Sequence, residues 1–235
     1  MSLPVAVLAG GLATRLGSLT ERVPKVLIDV GGRPFAEHQI ALLQKQGIRD
    51  VVFCVGHLAA DVETTLGDGS RWGMRFRYVP DGQRLLGTGG ALQRALPHLG
   101  DAFFVLYGDS YLECDFSAVE RAFRTSGQPG LMTVFRNDDR WDASNVEFRD
   151  GRIVRYDKVA RDAAMHHIDY GLGVLTPEAF LPWRDVDEPF DLAAVYQALV
   201  ARGALVGFEV AERFYEIGSV AGLEELRARL ERNAG

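Results

Sequence analysis

The sequence predicts an α/β protein built on a doubly wound, mixed β-sheet. In the first half of the 235-residue chain, short apolar segments alternate with longer segments whose apolar residues recur at helical spacing. Such alternation predicts parallel strands joined by helical crossovers, and short, wholly apolar strands are typical of a sheet covered by helices on both faces. In the second half, several predicted strands follow one another with only turns between them, which makes the predicted sheet mixed.

In the first half, each predicted strand is followed by a predicted helix. The strands are expected at residues 4–9, 51–55, 76–79 and 103–107, and the helices at residues 34–46, 59–66, 89–99 and 117–125. In the first of these helices, Phe35, Ile40 and Leu43 fall at near-helical spacing. Gly47 stands where a helix commonly ends, because glycine adopts the left-handed backbone that closes a helix at little cost.

The second half is predicted to be richer in strands. These are expected at residues 131–136, 145–148, 153–156, 167–175 and 205–210, and helices at residues 192–201 and 220–232. Asp150-Gly151 is a typical hairpin turn, and Ser219 is placed to cap the last helix. No linker, repeat or low-complexity stretch interrupts the chain, so we expect a single domain over residues 1–235.

Composition excludes several classes of function. The net charge is −6 and no basic run is present, which argues against a nucleic acid partner. No apolar run approaches the roughly 18–20 residues that span a bilayer, and no secretory signal is visible, so we expect no membrane partner and a cytoplasmic location. Cys54 and Cys114 lack metal or redox spacing, and Cys54 is expected to be a buried small hydrophobe.

The segment at residues 8–25 is the most informative stretch of the chain. An apolar strand ends there in Gly10-Gly11, and the cations Arg15 and Lys25 follow. Glycines at a strand end let the backbone approach a ligand closely, and two nearby cations suit a polyanion such as a triphosphate. The segment lacks both the Gly-x-Gly-x-x-Gly dinucleotide motif and the Gly-Lys-Ser/Thr phosphate loop. A plain turn is the alternative interpretation of a glycine pair.

The segment resembles the signature of the sugar-phosphate nucleotidylyltransferases, also called NDP-sugar pyrophosphorylases. The matching residues are Leu8-Ala9-Gly10-Gly11, Thr14-Arg15 and Pro24-Lys25. The resemblance implies the nucleotide-diphospho-sugar transferase (GT-A-like) fold, with a nucleotide-binding half at about residues 1–125 and a sugar-phosphate half at about residues 126–235. Some members carry a C-terminal β-helix, and none is expected here. Ala13 stands where the family usually has glycine, and we expect that position not to be left-handed.

The resemblance assigns roles to several residues along the chain. Catalytic Arg15 and Lys25 are implied to hold the triphosphate. The nucleotide-binding residues would be Leu8, Ala9, Gly10, Gly11, Thr14, Pro80, Gly82, Gly87 and Thr88, and the sugar-phosphate-binding residues Gly108, Asn145, Asp157, Lys158, Asp169 and Gly171. Asp157 is one methylene shorter than the family's usual Glu. For Lys158 taken alone, a solvated surface charge is the alternative.

A carboxylate pair for Mg²⁺ is also implied. Asp109 follows the strand predicted at residues 103–107, and ligands bind at the carboxyl edge of an open α/β sheet. By resemblance, catalytic Asp109 binds the metal, and Glu216 falls where the family has its second carboxylate, usually Asp. Mg²⁺ takes one or two protein carboxylates and fills its shell with water and phosphate oxygens. The alternatives are a loop aspartate at residue 109 and, at residue 216, an acidic residue facing the positive end of the last helix.

The expected activity is transfer of a nucleotidyl group from an NTP to a sugar 1-phosphate, with release of pyrophosphate, in the making of cell-envelope polysaccharide. The chain looks most similar to the manno-heptose and mannose 1-phosphate guanylyltransferases, which favours GTP. Uridylyl transfer to N-acetylmuramate or glucose 1-phosphate, and cytidylyl transfer to phosphocholine, are alternatives. A non-catalytic nucleotide-sugar sensor is the alternative from another class. A homo-oligomer is left open.

Overall fold

The structure, a computed structural model, describes residues 2–11 and 23–234. Within them, the strands are β1 (Val5–Leu8), β2 (Asp29–Val30), β3 (Arg33–Pro34), β4 (Asp50–Val55), β5 (Arg75–Pro80), β6 (Phe103–Tyr107), β7 (Ser110–Tyr111), β8 (Gly130–Arg136), β9 (Val146–Arg149), β10 (Arg152–Tyr156), β11 (His167–Leu175), β12 (Leu205–Val210) and β13 (Tyr215–Glu216). The helices are α1 (Phe35–Lys45), α2 (Ala59–Leu66), α3 (Gly87–Ala95), α4 (Phe116–Ser126), α5 (Leu192–Ala201) and α6 (Val220–Ala234).

The main sheet is mixed and doubly wound, as the sequence predicts. Its strand order in the described residues is β5-β4-β1-β6-β11-β8-β12-β10-β9. The first four of these strands are mutually parallel. Strand β11 runs antiparallel to both β6 and β8, whereas β12 runs parallel to β8. The change from parallel to antiparallel pairing therefore falls at β6, in the middle of the sheet.

Helices cover both faces of this sheet. Successive side chains of β1 point to opposite faces and pack against helices on each side. Val5 and Val7 join a core cluster with Ile40 of α1 and the residues of α4, whereas Ala6 joins the cluster on the opposite face with residues of α3 and α5. Successive side chains of a strand point to opposite faces, so an apolar strand requires cover on both sides. A third cluster packs α6 against the β2–β3 hairpin.

Several local predictions from turn and cap residues are confirmed. Gly47 has φ +75° and ends α1 with the amide of Ile48 donating to the carbonyl of Leu43 at 3.0 Å. Asp150 and Gly151 both have positive φ, at +49° and +76°, and connect β9 to β10 as a two-residue hairpin turn requires. The Ser219 hydroxyl accepts the amide of Gly222 at 3.1 Å and so caps α6.

The structure corrects the sequence-based boundaries at one helix. The helix predicted at residues 89–99 begins earlier, at Gly87, and ends at Ala95, with a 3₁₀ turn over Leu96–His98. Pro97 lies in that turn, and a proline cannot donate the backbone hydrogen bond that an α-helix needs there. None of the helices in residues 2–11 and 23–234 is long and apolar enough to cross a membrane.

Two short strand pairs are not predicted from the sequence, and one of them positions Glu216. Strands β2 and β3 form a small hairpin, and β7 pairs antiparallel with β13. The second pair joins residues more than a hundred positions apart and sets Glu216 opposite Ser110. Two-residue strands carry too little periodicity to be recognised from sequence.

Candidate active site

The carboxyl ends of β1, β4 and β6 meet at one edge of the sheet, and the backbone beyond them is tightly packed. In the sheet register, Leu8 lies beside both Cys54 and Tyr107. A Cβ placed on Gly108 would lie 2.6 Å from the carbonyl oxygen of Leu8, and one on Gly10 would lie 3.2 Å from the amide of Gly56. Glycine is therefore required at residue 108, where any side chain would strike the neighbouring strand.

Two hollows open on this edge and join. The first, the glycine-lined pocket, has a volume of about 270 Å³ and is lined by Leu8, Ala9, Gly10, Gly11, Val26, Cys54, Asp81, Leu85, Gly87, Thr88, Ala91 and Gly108. The second, the polar cleft, has a volume of about 570 Å³ and is lined by Ser110, Asp142, Ala143, Ser144, Asn145, Lys158, Arg161, Ile168, Asp169, Tyr170, Gly171, Phe214, Glu216 and Gly218. Lys25, Tyr107 and Asp109 line both hollows and form their junction.

At the junction, Lys25 and Asp109 form an ion pair. Lys25 lies in a 3₁₀ turn, Lys25–Leu27, and its Nζ is 2.5 Å from Oδ2 of Asp109. Pairing neutralises both charges at the sheet edge and holds two flexible side chains in one orientation. Asp109 follows β6 as the sequence predicts, so that its carboxylate lies at the edge where open α/β sheets bind ligands.

The second carboxylate, Glu216, lies beside this pair. The amide of Ile217 donates to the carbonyl of Asp109 at 2.9 Å, which fixes β13 against the segment after β6. A Cβ placed on Gly218 would lie 3.3 Å from Oε1 of Glu216 and 3.5 Å from Nζ of Lys25, so both groups approach one point. Asp109 and Glu216 both line the polar cleft, and their carboxylates provide the hard oxygen donors that Mg²⁺ prefers. The residues present therefore fit a magnesium ion.

The glycine-rich segment after β5 supplies one wall of the glycine-lined pocket. Some of its residues line the pocket and others pack against Phe190. Gly87 has φ +73° and lines the pocket with Thr88, whose hydroxyl accepts the amide of Leu192 at 2.8 Å. Gly89 points away from the pocket, because a Cβ there would lie 2.3 Å from the ring of Phe190. Some of these glycines therefore serve the packing of α3 rather than the pocket.

The residues at 80–82 are placed differently from the sequence prediction. Pro80 and Gly82 do not line the glycine-lined pocket, whereas Asp81 between them does. Asp81 is only 6% exposed, and its Oδ2 accepts the amide of Leu86 at 3.1 Å. Burial raises the pKa of the Asp81 carboxyl, while the Leu86 amide and Arg94 oppose that rise. The signal that could have identified Asp81 is a polar residue between proline and glycine at a strand end.

Cys54 is buried, as the sequence predicts. It lines the glycine-lined pocket beside Asp81. Burial, reinforced by the Asp81 charge, raises the pKa of its thiol to about 12. The thiol is therefore protonated at neutral pH and behaves as a small apolar group.

In the polar cleft, Asp169 is held by Gly171 of its own strand, by Tyr156 of β10 and by Asn145, which directly precedes β9. Its Oδ1 accepts the amide of Gly171 at 3.0 Å and its Oδ2 accepts the Tyr156 hydroxyl at 3.2 Å, while its own amide donates to Asn145 Oδ1 at 2.9 Å. Gly171 has φ +97° and lies in an irregularity of β11 between Asp169 and Gly173. Burial raises the pKa of Asp169, and nearby Lys158 opposes the rise.

The turn after β10 places Lys158 in the cleft and removes Asp157 from it. Asp157 accepts the amides of Val159 and Ala160, each at 2.8 Å, and these bonds lower its pKa. It does not line the polar cleft. Its carboxylate shapes the turn that presents Lys158, whose Nζ lies 5.4 Å from the Tyr107 ring centroid and 3.9 Å from Asp191. The sequence analysis missed Arg161, which lines the same cleft and is paired with Asp139.

The structure therefore brings most of the predicted site residues to one edge of the sheet. Those that line the glycine-lined pocket, the polar cleft or their junction are Leu8, Ala9, Gly10, Gly11, Lys25, Gly87, Thr88, Gly108, Asp109, Asn145, Lys158, Asp169, Gly171 and Glu216. Pro80, Gly82 and Asp157 lie beside these hollows and do not line them. Thr14 and Arg15, and the departure at Ala13, lie outside the described residues.

Comparison with known proteins identifies the family. The model of the MobA-like NTP transferase domain matches residues 5–146. Glucose-1-phosphate thymidylyltransferase of Streptomyces antibioticus is 28% identical over 242 residues, which cover 96% of this chain and 67% of that protein. D-glycero-alpha-D-manno-heptose 1-phosphate guanylyltransferase of Campylobacter jejuni is 30% identical over 175 residues, which cover 74% of this chain and 76% of that protein.

A solved structure agrees with the fold. The inositol-1-phosphate CTP transferase from T. maritima superposes with a TM-score of 0.79 at 25% identity, covering 98% of this chain and 96% of that one. The chain belongs to the family of MobA-like NTP transferase domains. It is a nucleotidyltransferase whose relatives act on sugar 1-phosphates.

Proposed function

We propose that this protein transfers a nucleotidyl group from an NTP to a sugar 1-phosphate and releases pyrophosphate, with GTP and a mannose- or heptose-type sugar as its substrates. The observation that carries the proposal is the junction of two unlike hollows at Lys25 and Asp109. A pocket lined by glycines and mostly apolar residues suits a nucleoside, and a cleft lined by cations and hydrogen-bonding groups suits a phosphorylated sugar. Bound on either side, the two substrates would bring their phosphates to the shared residues.

The reaction needs charge and position more than a proton relay. A sugar phosphate has a second pKa near ~6 and is ionised at neutral pH, so its oxygen attacks the α-phosphorus without a general base. The attacking phosphate oxygen forms a new bond to the α-phosphorus. At the same time the bond between the α-phosphorus and the oxygen that bridges it to the β-phosphorus breaks, and pyrophosphate leaves with the electron pair of that bond. Lys25 and Arg15 would neutralise the leaving pyrophosphate, and Lys158 would hold the acceptor phosphate in line.

Asp109 and Glu216 would hold Mg²⁺ at the junction. When bound there, the metal would screen the negative charge of the approaching phosphates. Lys25 pairs with Oδ2 of Asp109, and the Ser110 hydroxyl lies 3.5 Å from Oδ1, a long contact that a ligand bound at Oδ1 would replace. The same ion pair prevents the carboxylate from turning away, so that its orientation is set before substrates bind.

The preference for GTP gains support from Asp81. Guanine presents two neighbouring donors, N1–H and N2–H₂, on one edge, whereas the matching edges of uracil, cytosine and adenine place an acceptor beside a donor. A carboxylate within the glycine-lined pocket therefore accepts from guanine and repels the acceptors of the other bases. Because Asp81 already accepts Leu86 through Oδ2, its Oδ1 is the atom proposed to face the base.

The test is a matrix of GTP, UTP, CTP, ATP and dTTP against a panel of sugar 1-phosphates and phosphocholine, read by release of pyrophosphate with Mg²⁺ present. We expect the highest kcat/KM for GTP with a manno-configured sugar 1-phosphate. A higher value for UTP with N-acetylmuramate or glucose 1-phosphate would replace the proposed substrates with the uridylyl alternative. Tight nucleotide binding without pyrophosphate release from any pair would favour the non-catalytic sensor.

A further inference from the structure

A buried glutamine on α1 reaches the segment that carries Asp109. Gln39 is 3% exposed, and its Nε2 donates to the carbonyl of Tyr107 at 3.0 Å and to the carbonyl of Ser110 at 2.6 Å. These two carbonyls lie directly before and after Gly108-Asp109. One amide group therefore bridges the two ends of the turn from which the Asp109 carboxylate projects.

The same turn is held from two further directions. The amide of Gly108 donates to the carbonyl of Leu8 at 3.0 Å, and the carbonyl of Asp109 accepts the amide of Ile217 at 2.9 Å. The backbone from Tyr107 to Ser110 is thus tied to β1, to α1 and to β13, the strand that carries Glu216. The other two contacts are backbone hydrogen bonds, whereas Gln39 bonds through its side chain. A substitution at residue 39 can therefore remove its two hydrogen bonds without altering the strands.

Packing alone does not account for a glutamine at this position. Among the described residues, Oε1 of Gln39 is buried with no hydrogen-bond partner. Burying an unsatisfied amide oxygen destabilises the fold, and an apolar side chain of similar length would avoid this cost. The neighbouring α1 side chains Ile40 and Leu43 are apolar and fully buried. The two bonds from Nε2 are what distinguishes Gln39 from them.

We propose that Gln39 is a positioning residue for the transfer reaction. It holds the turn at residues 107–110 so that the Asp109 carboxylate stays aligned with Lys25 and Glu216, and it contacts neither substrate. This inference rests on the proposed function, because it concerns the same junction. Its effect falls on turnover, since both binding hollows are lined by residues other than Gln39.

The test compares Gln39→Met with Gln46→Met. Both glutamines lie at or beside α1 and donate to a distant carbonyl, but Gln46 donates to Cys114 at 2.9 Å and accepts the amide of Phe116, away from the junction. We expect Gln39→Met to lower kcat about 10- to 100-fold, with each KM changed less than about 3-fold, because small misplacements of reacting groups are costly. Gln46→Met is expected to keep the wild-type kcat. Equal losses of kcat in the two variants would overturn the proposal.

A second arm tests whether Gln39 acts through Asp109. In an Asp109→Asn background, Gln39→Met is expected to have little further effect on kcat, because residues that act as a unit are not additive. Full additivity would contradict a positioning role. Gln39→Asn, an amide one methylene shorter, serves as a milder variant should Gln39→Met fold poorly, and it is expected to lose part of the kcat.

Hydrogen exchange provides a readout that does not depend on activity. We expect faster amide exchange at residues 107–111 and 215–217 in Gln39→Met, and no such change in Gln46→Met. Unchanged exchange in these segments would refute the positioning role, whatever the kinetics. If the wild-type protein released no pyrophosphate with any substrate pair, the proposed function would fail, and this exchange measurement would still decide whether Gln39 orders the turn.

Discussion

The glycine-lined pocket and the polar cleft are built in different ways. The pocket is lined by glycines and by mostly small or apolar residues, many of them at the carboxyl ends of parallel strands, where Gly10 and Gly108 let neighbouring segments approach closely. The cleft is formed by side chains that arrive from widely separated segments, among them Asn145, Lys158 and Glu216. The close contacts at the strand ends of the pocket are fixed once the sheet forms. A cleft made of side chains depends on each turn and bulge that presents them.

This difference bears on specificity. If the glycine-lined pocket holds the nucleoside, as proposed, discrimination among bases would fall to its few polar side chains, above all Asp81. In the proposed function the cleft would hold the acceptor, and single substitutions of its side chains would change the acceptor and leave the sheet intact. Relatives of this chain include a thymidylyltransferase for glucose 1-phosphate and a guanylyltransferase for a heptose 1-phosphate.

The largest effect is expected at the junction, which both hollows share. Asp109→Asn removes the charge that pairs with Lys25 and one of the two carboxylates proposed for Mg²⁺. We expect kcat to fall on the order of 10³-fold, whichever substrate is varied. A loss of this size is typical when an enzyme loses a group that stabilises charge in the transition state. Pyrophosphate release measures it. Asp101→Asn, before β6 rather than after it, is the matched control, and activity near the wild-type value in Asp109→Asn would remove Asp109 from the mechanism.

A smaller effect, confined to the KM of one of the two substrates, is expected in the polar cleft. Lys158→Met removes the cation that faces Tyr107 and Asp169 but keeps the length of the side chain. We expect KM for the sugar 1-phosphate to rise about 10- to 100-fold, because a charge-assisted phosphate contact is lost. KM for the NTP is expected to stay within about 2-fold in the same kinetic series. Lys45→Met, on the exposed end of α1, controls for loss of a lysine, and an equal rise in both KM values would place Lys158 at the junction instead.

The sequence predicts the glycine-lined pocket better than the polar cleft. The residues of the glycine-lined pocket stand in short contiguous runs, Leu8 to Gly11 and Gly87-Thr88, so a pattern of neighbours along the chain identifies them. The parallel order of β1, β4 and β6 follows from alternating strands and helices. The fold was therefore largely predictable, including the hairpin turn at Asp150-Gly151 and the cap at Ser219.

The parts that could not be predicted depend on contacts distant in sequence. The pairing of β7 with β13, the bridge from Gln39 and the Arg161–Asp139 pair each join residues that no local pattern relates. Asp157 was predicted to bind the sugar phosphate because the resemblance places it where the family usually has Glu. In the structure its carboxylate bonds to the two amides that follow, which is a common use of aspartate in turns. A residue next to a site residue can serve the backbone instead of the ligand.

The base specificity of the glycine-lined pocket is expected to depend on Asp81. Asp81→Asn keeps an oxygen for the Leu86 amide but places an NH₂ donor where Oδ1 is proposed to accept from guanine. We expect kcat/KM for GTP to fall about 10-fold, and that for UTP or CTP to change less than about 3-fold. Asp68→Asn, at an aspartate that caps Ser70 outside the pocket, is the control. A uniform loss across all nucleotides would assign Asp81 to the fold of the pocket rather than to the base.

The pH dependence of GTP binding is a further test of the role proposed for Asp81. Burial raises the pKa of Asp81, so this carboxyl takes up its proton at a higher pH than an exposed aspartate. Because the protonated acid has one fewer accepting position, the affinity for GTP is expected to weaken as the pH falls through that raised pKa. Asp81→Asn lacks the titrating group, and its GTP affinity is expected to lose this dependence in binding titrations.

The smallest effect is expected from the loop that forms one wall of the polar cleft. Trp141, 47% exposed, precedes Asp142, and the Arg213 guanidinium stacks 3.3 Å from its ring centroid and 4.8 Å from that of Tyr215. Arg213 thus ties the loop to the strand that carries Glu216. An exposed cation–π contact contributes about 1 kcal/mol, so Trp141→Ala is expected to raise KM for the sugar 1-phosphate about 3- to 5-fold and leave KM for the NTP unchanged.

Trp72→Ala is the matched control for that variant, because Arg71 stacks on Trp72 at 3.8 Å on a different part of the molecule. It loses a contact of the same kind and, because Trp72 also packs against Phe76 and the core, at least as much stability, which thermal unfolding measures. If both tryptophan variants raised KM for the sugar 1-phosphate alike, the effect would come from lower stability. A rise confined to Trp141→Ala would show that the polar cleft, unlike the glycine-lined pocket, is adjusted by side-chain contacts outside its own lining.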